Sequence, residues 1–276
     1  MKFLFIGDIV GKAGRQAALD GIVRAKREFS VEFVVANGEN IAHGFGITLK
    51  TASELFAAGV NVMTSGNHIW DKKEVVPLLI ATAENAERAM PILRPLNLPL
   101  TAPGTGVFTR GEIAIVNLMG MHNMGVVENA FNMIESAVEE LRSRGIKTII
   151  VDFHAETSAE KNALLKLLEA RVSFIFGTHT HIGTDDLLIA RGTGYVSDVG
   201  LTGVRDQVIG MGAAEPLSRY KTGVKSAFEV VENSLIVFQG VVADIDPSSG
   251  ECLDAFKIRS FDRGEFLIAP HAGGWR

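Results

Sequence analysis

A chain of 276 residues that is 47% hydrophobic and 21% charged can bury a sizeable core, and this composition excludes a disordered or low-complexity protein. The formal charge of −5, with lysines and arginines scattered along the chain, argues against an extended nucleic-acid groove. The single cysteine, Cys252, rules out an internal disulfide and a thiolate cluster, so any metal must be held by nitrogen and oxygen. The first apolar run, Phe3–Ile6, is shorter than a signal-peptide core, and no later run reaches membrane length. The expectation is a soluble, cytoplasmic protein folding as one domain over residues 1–276.

Short β-branched and aromatic runs predict strands at Phe3–Ile6, Phe33–Ala36, Val60–Thr64, Ile113–Leu118, Thr148–Phe153, Phe174–Phe176 and Gly194–Val196. Between them, apolar residues at three- and four-residue spacing predict helices at Gly14–Glu28, Lys50–Ala58, Glu74–Glu84, Asn129–Ser143 and Ala159–Ala170. Strand and helix alternate, which is the pattern of an α/β protein. The stretch Gly203–Gly223, with Gly210-Met211-Gly212 and Pro216, reads as a long loop. From Ser234 the texture turns to hairpins: Leu235–Phe238, Val241–Ile245, a turn at Asp246–Gly250, then Phe256–Ile258. These late strands are expected to complete a second sheet, giving two packed mixed β-sheets flanked by helices.

The segment GDIVGKAG, Gly7 to Gly14, has the look of a phosphate loop. Only three residues separate Gly7 from Gly11, and Ala13 follows Lys12, so the Walker spacing fails, as does the dinucleotide fingerprint. What is left is Asp8 at the carboxyl end of the first strand, where parallel sheets place their ligands. Taken singly, Asp8 is equally a turn cap, Glu39, Asn40 and Asn67 turn formers, and His154 a core histidine. Taken together, five strand ends carry Asp8, Asn37-Gly38-Glu39-Asn40, Ser65-Gly66-Asn67-His68, Asp152-Phe153-His154 and Gly177-Thr178-His179-Thr180-His181 to one edge of the sheet. That repetition favours a shared metal site. If the Thr178–His181 segment is extended, His179 and His181 point the same way and serve one cavity or two adjacent ions. Two divalent ions would bring more positive charge than Asp8 and Glu39 return, which favours a bridging hydroxide and an anionic substrate such as a phosphate ester.

The ordered series GD, GEN, GNH, H and GTHTH resembles the calcineurin-like metallophosphoesterases. Asp8 is followed by Ile9-Val10, without the histidine of that family's D-x-H, and Glu39 stands where a bridging aspartate is usual. With GDIVGKAGR, NGENIAHGFGIT, TSGNHIWD and VSDVGLTG, the chain is similar over nearly its whole length to the YmdB-type branch, bacterial phosphodiesterases related to cyclic-nucleotide hydrolases. The resemblance implies a four-layer αββα sandwich and a pair of metals bridged by Glu39. Asp8, Asn40 and His181 would complete one coordination sphere, and Asn67, His154 and His179 the other. It implies iron, and the harder amide oxygens of the asparagines suit iron or manganese better than zinc. His68 would donate a proton to the leaving oxygen or steady the phosphoryl charge, and Asp71 either orients it or starts the next helix.

The expected activity is hydrolysis of small 2′,3′- or 3′,5′-cyclic nucleotides, with phosphomonoesters as further substrates; homo-oligomerisation stays open. A metal-dependent amidase or lactamase is disfavoured, because Ile182-Gly183-Thr184-Asp185-Asp186 after His181 lacks the third histidine of H-x-H-x-D-H. A non-catalytic regulator that binds nucleotide through the same metal site is the competing reading. His43 and His122 are expected to be solvated or structural, and His271, in a glycine-rich tail, is expected to be inert. Lys12 and Arg15 are expected to form the polar face of the first helix, with attraction of phosphate as the alternative.

Overall fold

The computed structural model describes residues 1–85, 89–232 and 234–271. In chain order it runs β1 (Lys2–Ile6), α1 (Gly11–Phe29), β2 (Phe33–Asn37), α2 (Leu49–Ala57), β3 (Val62–Thr64), α3 (Val75–Asn85), β4 (Val107–Arg110), β5 (Ile113–Met119), α4 (Ala130–Ser143) and β6 (Thr148–His154). It continues through α5 (Ser158–Leu168), β7 (Phe174–Thr178), β8 (Leu188–Ala190), β9 (Thr193–Val196), β10 (Gly203–Val204), α6 (Ala214–Thr222), β11 (Ile236–Ile245), β12 (Cys252–Phe261) and β13 (Leu267–Pro270).

One sheet has the order β13-β12-β11-β1-β2-β3, with β10 also paired to β11; the other has the order β4-β5-β6-β7-β9-β8. Both are mixed, since β1-β2-β3 and β5-β6-β7-β9 are parallel and the flanking pairs are antiparallel. The two-residue period of a strand decides the layering. On β1, Phe3 and Phe5 enter the core between the sheets, where Phe5 meets Phe174 and Phe176 at centroid distances of 4.7 and 4.9 Å. Leu4 and Ile6, one residue out of phase, pack with Ala18 and Ile22 of α1. On β6, Ile150 joins the intersheet core while Ile149 and Val151 pack against α4 and α5. Three apolar layers between four layers of elements make the αββα sandwich, and each fully buried phenylalanine contributes roughly 1.5–3 kcal/mol.

Two expectations are corrected. The late strands do not complete a second sheet: β11 is a single continuous strand that pairs antiparallel with β1, from Lys2 opposite Asp244 to Ile6 opposite Gly240. The stretch 203–223 is not one loop, since it holds β10 and the helix α6. Pro216 sits in the first turn of α6, where its missing N–H costs nothing, and it is the helix's buried residue, so no apolar stripe marks the helix in the sequence. The short edge strands β4, β8 and β13 were not expected either. His271 is partly buried and lies 3.6 Å from Asp254, while the glycine-rich tail after it lies outside the described residues. Among the described residues no helix is long and apolar enough to cross a membrane.

Candidate metal centre

The strand ends do converge, but from two sheets and not along one edge. β1, β2 and β3 deliver Asp8, Glu39-Asn40 and Asn67-His68 from one sheet, and β6 and β7 deliver His154 and the 179–181 turn from the other. The GDIVGKAG segment is a turn running into α1, which begins at Gly11, earlier than expected. Its backbone is pinned by Ile9 N–H to the Asn37 carbonyl (3.1 Å), Gly11 N–H to the Asn40 carbonyl (3.0 Å) and Thr202 N–H to the Asp8 carbonyl (2.8 Å). Arg15 faces the protein: it bonds Glu54 at 2.7 Å and the Ile41 carbonyl at 2.5 Å, which steadies the turn carrying Asn40. Lys12 is exposed and pairs with Glu232, and His43 and His122 are exposed.

Three donors meet around His154 Nε2. Glu39 Oε1 and Asn67 Oδ1 each lie 3.0 Å from it, and His179 Nδ1 lies 3.1 Å away. Glu39, His154 and His179 each bring one donor atom into a cluster less than 4.8 Å across. Hydrogen bonds on the far sides of the rings leave the inward nitrogens available. Thr178 donates its hydroxyl proton to Asp152 (2.8 Å), so its oxygen accepts from His154 Nδ1 (2.9 Å), and Glu156 accepts from His179 Nε2 at 2.9 Å. Asp152, raised to about 7 by burial, is also bonded by Thr64 and Asn37.

The second group is Asp8, Asn40 and His181. His181 Nδ1 donates to the Ile209 carbonyl at 2.7 Å, which turns Nε2 toward Asp8 Oδ1 at 3.6 Å and the Asn40 amide nitrogen at 3.4 Å. A half-turn of that amide exchanges its nitrogen for its oxygen. Asp8 Oδ2 accepts the His179 N–H, whereas Oδ1 is fully buried without any hydrogen-bond partner. A carboxylate oxygen in that position calls for a cation.

These residues fit a divalent metal site. Two donors at right angles on bonds of about 2.1 Å stand about 3 Å apart, the spacing seen around His154. Electrostatics agree: burial pushes Glu39 upward, but His154 and His68 outweigh it and hold it at about 2. Burial pushes His154 down, but Glu39 and Asp8 lift it to about 9. His179 is lowered to about 3 by burial and by His154, so it stays a neutral imidazole, and burial raises Asp8. The pocket therefore favours positive charge at its centre.

The expectation of an extended backbone under His179 and His181 is corrected. Both residues have positive φ, 97° and 64°, and lie beyond the end of β7. The turn is held from below by Asp198, whose Oδ2 accepts from Thr180 N–H (3.2 Å), Thr180 Oγ1 (2.8 Å) and Lys161 Nζ (2.9 Å). Sequence reasoning missed Lys161 and Glu156, and it named Asp152 at a strand end and Asp198 in a motif without giving either its role. A lone carboxylate in the apolar run Thr148–Phe153 was the available signal for Asp152.

Gly66 shows how tightly the strand ends are packed. A β-carbon there would lie 2.0 Å from His154 Cδ2 and 2.2 Å from Nε2. Gly66→Ala is expected to push the His154 ring aside and weaken metal binding by about 10–100-fold, the scale on which displaced supporting groups act. Elemental analysis after dialysis checks it; full metal content in a folded variant contradicts it.

His68 stands beside the cluster. Its backbone N–H bonds Glu39 Oε2 at 3.0 Å, while its Nδ1 meets Asp71 Oδ2 at 2.8 Å and its ring lies edge-on to Phe45. Asp71 thus orients His68 and leaves Nε2 for a ligand. Both groups of donors open into a cavity of about 560 Å³ bounded by His68, Phe45, Ile209, Met211, Arg219 and Phe228.

The family of YmdB-like proteins matches residues 4–258. The chain is 35% identical over 263 residues to the 2′,3′-cyclic-nucleotide 2′-phosphodiesterase of Bacillus subtilis, covering 94% of this chain and 96% of that one. In three dimensions it is similar to a phosphatase of Mycoplasma pneumoniae, with a TM-score of 0.86 at 33% identity over 95% of this chain and 93% of that one. It is also similar to a protein of Thermus thermophilus, with a TM-score of 0.82 at 30% identity over 99% and 100% of the two chains. With the fold, the converging donors and the match across nearly all its length in agreement, the chain belongs to the YmdB-like protein family.

Proposed function

We propose that this protein hydrolyses 2′,3′-cyclic nucleotides at the 2′ ester, using two metal ions seated between Glu39, Asp8, Asn40 and His181 on one side and Glu39, Asn67, His154 and His179 on the other. Its family and its relatives make it a phosphoric ester hydrolase. The observation that carries the finer reading is the buried convergence of Glu39, His154 and His179 beside the unpartnered Asp8 Oδ1, open to a cavity that His68 borders. Iron is the proposed metal and manganese the alternative, because two amide oxygens join the donor set. 3′,5′-cyclic nucleotides and phosphomonoesters are proposed as secondary substrates.

When bound, divalent cations supply the positive field that holds phosphoryl oxygens and acidifies the attacking water. The chain's own residues do the rest. Glu39, anchored through Oε2 by the His68 N–H, keeps its other oxygen in the cluster. Asp71 accepts from His68 Nδ1 and so orients the ring, whose Nε2 gives a proton to the ribose 2′ oxygen as the P–O2′ bond breaks, the water oxygen bonds phosphorus and the water's own proton leaves to solvent. The product is a nucleoside 3′-phosphate.

His68→Ala is expected to lower turnover of bis-p-nitrophenyl phosphate and of 2′,3′-cyclic AMP by about 10²–10⁴-fold while both metals stay bound, the range of a lost general acid. Undiminished turnover in the variant removes His68 from the mechanism. No turnover in the iron- or manganese-loaded parent favours a nucleotide-binding regulator instead.

A further inference from the structure

His181 and Ile209 wall not only the catalytic cavity but a second one of about 230 Å³, whose other polar lining is Arg205, Gln207, Gln239 and Arg259. Strand periodicity makes this lining unexpected. On β11 and β12, Val241, Ala243, Ile245 and Ala255 face the core between the sheets, while Phe238, Val242 and Ile258 face the helices. In phase with the first set, nearer the metal centre, stand Gln239, Lys257 and Arg259, with Gln239 directly opposite Arg259. An inward face that turns from valine and alanine to arginine and lysine is costly for folding unless the charges are used.

Among the described residues no carboxylate lies within ion-pair distance of these charges, although Asp186, Asp198 and Asp185 act on Lys257 from farther away. Among the described residues neither Arg205 nor Arg259 takes part in an ion pair, and Arg205 lies over the Phe261 ring at 5.8 Å. Lys257 donates to the Thr184 carbonyl, and the nearby Asp198 and Asp186 are engaged with Lys161, Thr184 and Ser197. Burial, and then Arg205, lowers Arg259, while burial and Arg259 bring Lys257 down to about 8, the mark of cations held close together.

We propose that this second cavity is an anion subsite for a further phosphate group of the substrate, so that the enzyme favours a 2′,3′-cyclic phosphate carrying an additional phosphate over a bare cyclic mononucleotide. The proposal rests on the hydrolase reading above, and the second cavity is a neighbour of the first, since His181 and Ile209 border both. Two guanidinium groups suit a phosphate, which takes paired N–H donors, and Gln207, whose oxygen accepts from Ala213 N–H, keeps its amide N–H groups for a ligand, while Gln239 already donates to the Leu201 carbonyl.

The test compares kcat/KM of the metal-loaded enzyme for adenosine 2′,3′-cyclic phosphate with and without a 5′-phosphate, in the parent, Arg205→Gln and Arg259→Gln. Charge-assisted hydrogen bonds predict a preference of about tenfold or more in the parent, falling to about twofold or less in Arg259→Gln and to an intermediate ratio in Arg205→Gln, whose exposed side chain the fold does not need. A parent without preference, or an equal preference in both variants, overturns the subsite. Calorimetric affinities for adenosine 3′,5′-bisphosphate and adenosine 3′-phosphate give the same ratio without turnover. Absence of hydrolysis with the affinity ratio intact therefore sinks the hydrolase reading alone, and equal affinities sink the subsite.

Discussion

Glu39→Gln is expected to strip the centre of metal and silence the enzyme while leaving the fold in place. The substitution keeps the shape of the side chain but removes one of the two carboxylates that face the cluster, the other being Asp8, and it replaces an oxygen 3.0 Å from His154 Nε2 with an amide end. Loss of a carboxylate from the donor set is expected to lower metal affinity by about 100-fold or more, beyond the 10–100-fold cost of losing a supporting group. Metal content after dialysis and turnover read the effect; a variant that keeps its metal and its activity would remove Glu39 from the proposed metal site. The metal-free protein offers a second reading through pH. Glu39 lies at about 2 against an ordinary 4.5, so its contribution is present above 4.5 and is lost as pH falls through 2. His154 lies at about 9 against an ordinary 6.5, so its contribution is complete below 6.5 and is lost as pH rises through 9. The pair therefore stabilises metal-free protein most between pH 4.5 and 6.5, and urea midpoints measured across pH should show that plateau flattened in Glu39→Gln.

The convergence of these residues was legible because strand ends advertise themselves: an apolar run that stops at Asp8, at Glu39-Asn40, at Asn67-His68 or at His154 places a polar group at a defined height above a sheet. The assignment of those ends to two sheets was not legible, since pairing depends on β11 docking beside β1 from more than 200 residues away, a contact that no local pattern encodes. Helix α6 escaped for a different reason. It leaves Leu217 and Tyr220 exposed and buries Pro216, so the periodicity that reveals α1 or α4 is absent. The 179–181 turn escaped because two histidines with positive φ violate the local preference that makes an extended segment the natural expectation, and tertiary bonds to Asp198, Asp8 and the Ile209 carbonyl sustain them. Arg205 and Arg259 look like ordinary surface cations until β11 and β12 are paired and their phase is known.

Lys161→Met carries the other large effect, and it tests the support of the site without touching the site. Lys161 is 3% exposed and Asp198 1%, and the lysine donates to Asp198 Oδ2 and to the Thr178 carbonyl, both at 2.9 Å. Methionine fills the volume of the lysine stem but leaves Asp198 as a buried charge, and breaking such a pair costs about 3–5 kcal/mol. Because Thr180 hangs from the same carboxylate by its N–H and its hydroxyl, the damage should pass to the flanking His179 and His181 and lower metal affinity as well as the urea midpoint. Asp198→Asn on the Lys161→Met background removes the stranded charge, so the double variant is expected to regain part of the lost stability. It should not regain full metal affinity, because an amide holds the Thr180 turn less strongly than a carboxylate does. A single variant as stable and as metal-replete as the parent would show that the turn is held by its own backbone; a double variant no more stable than the single would show that the cost lay in packing and not in charge.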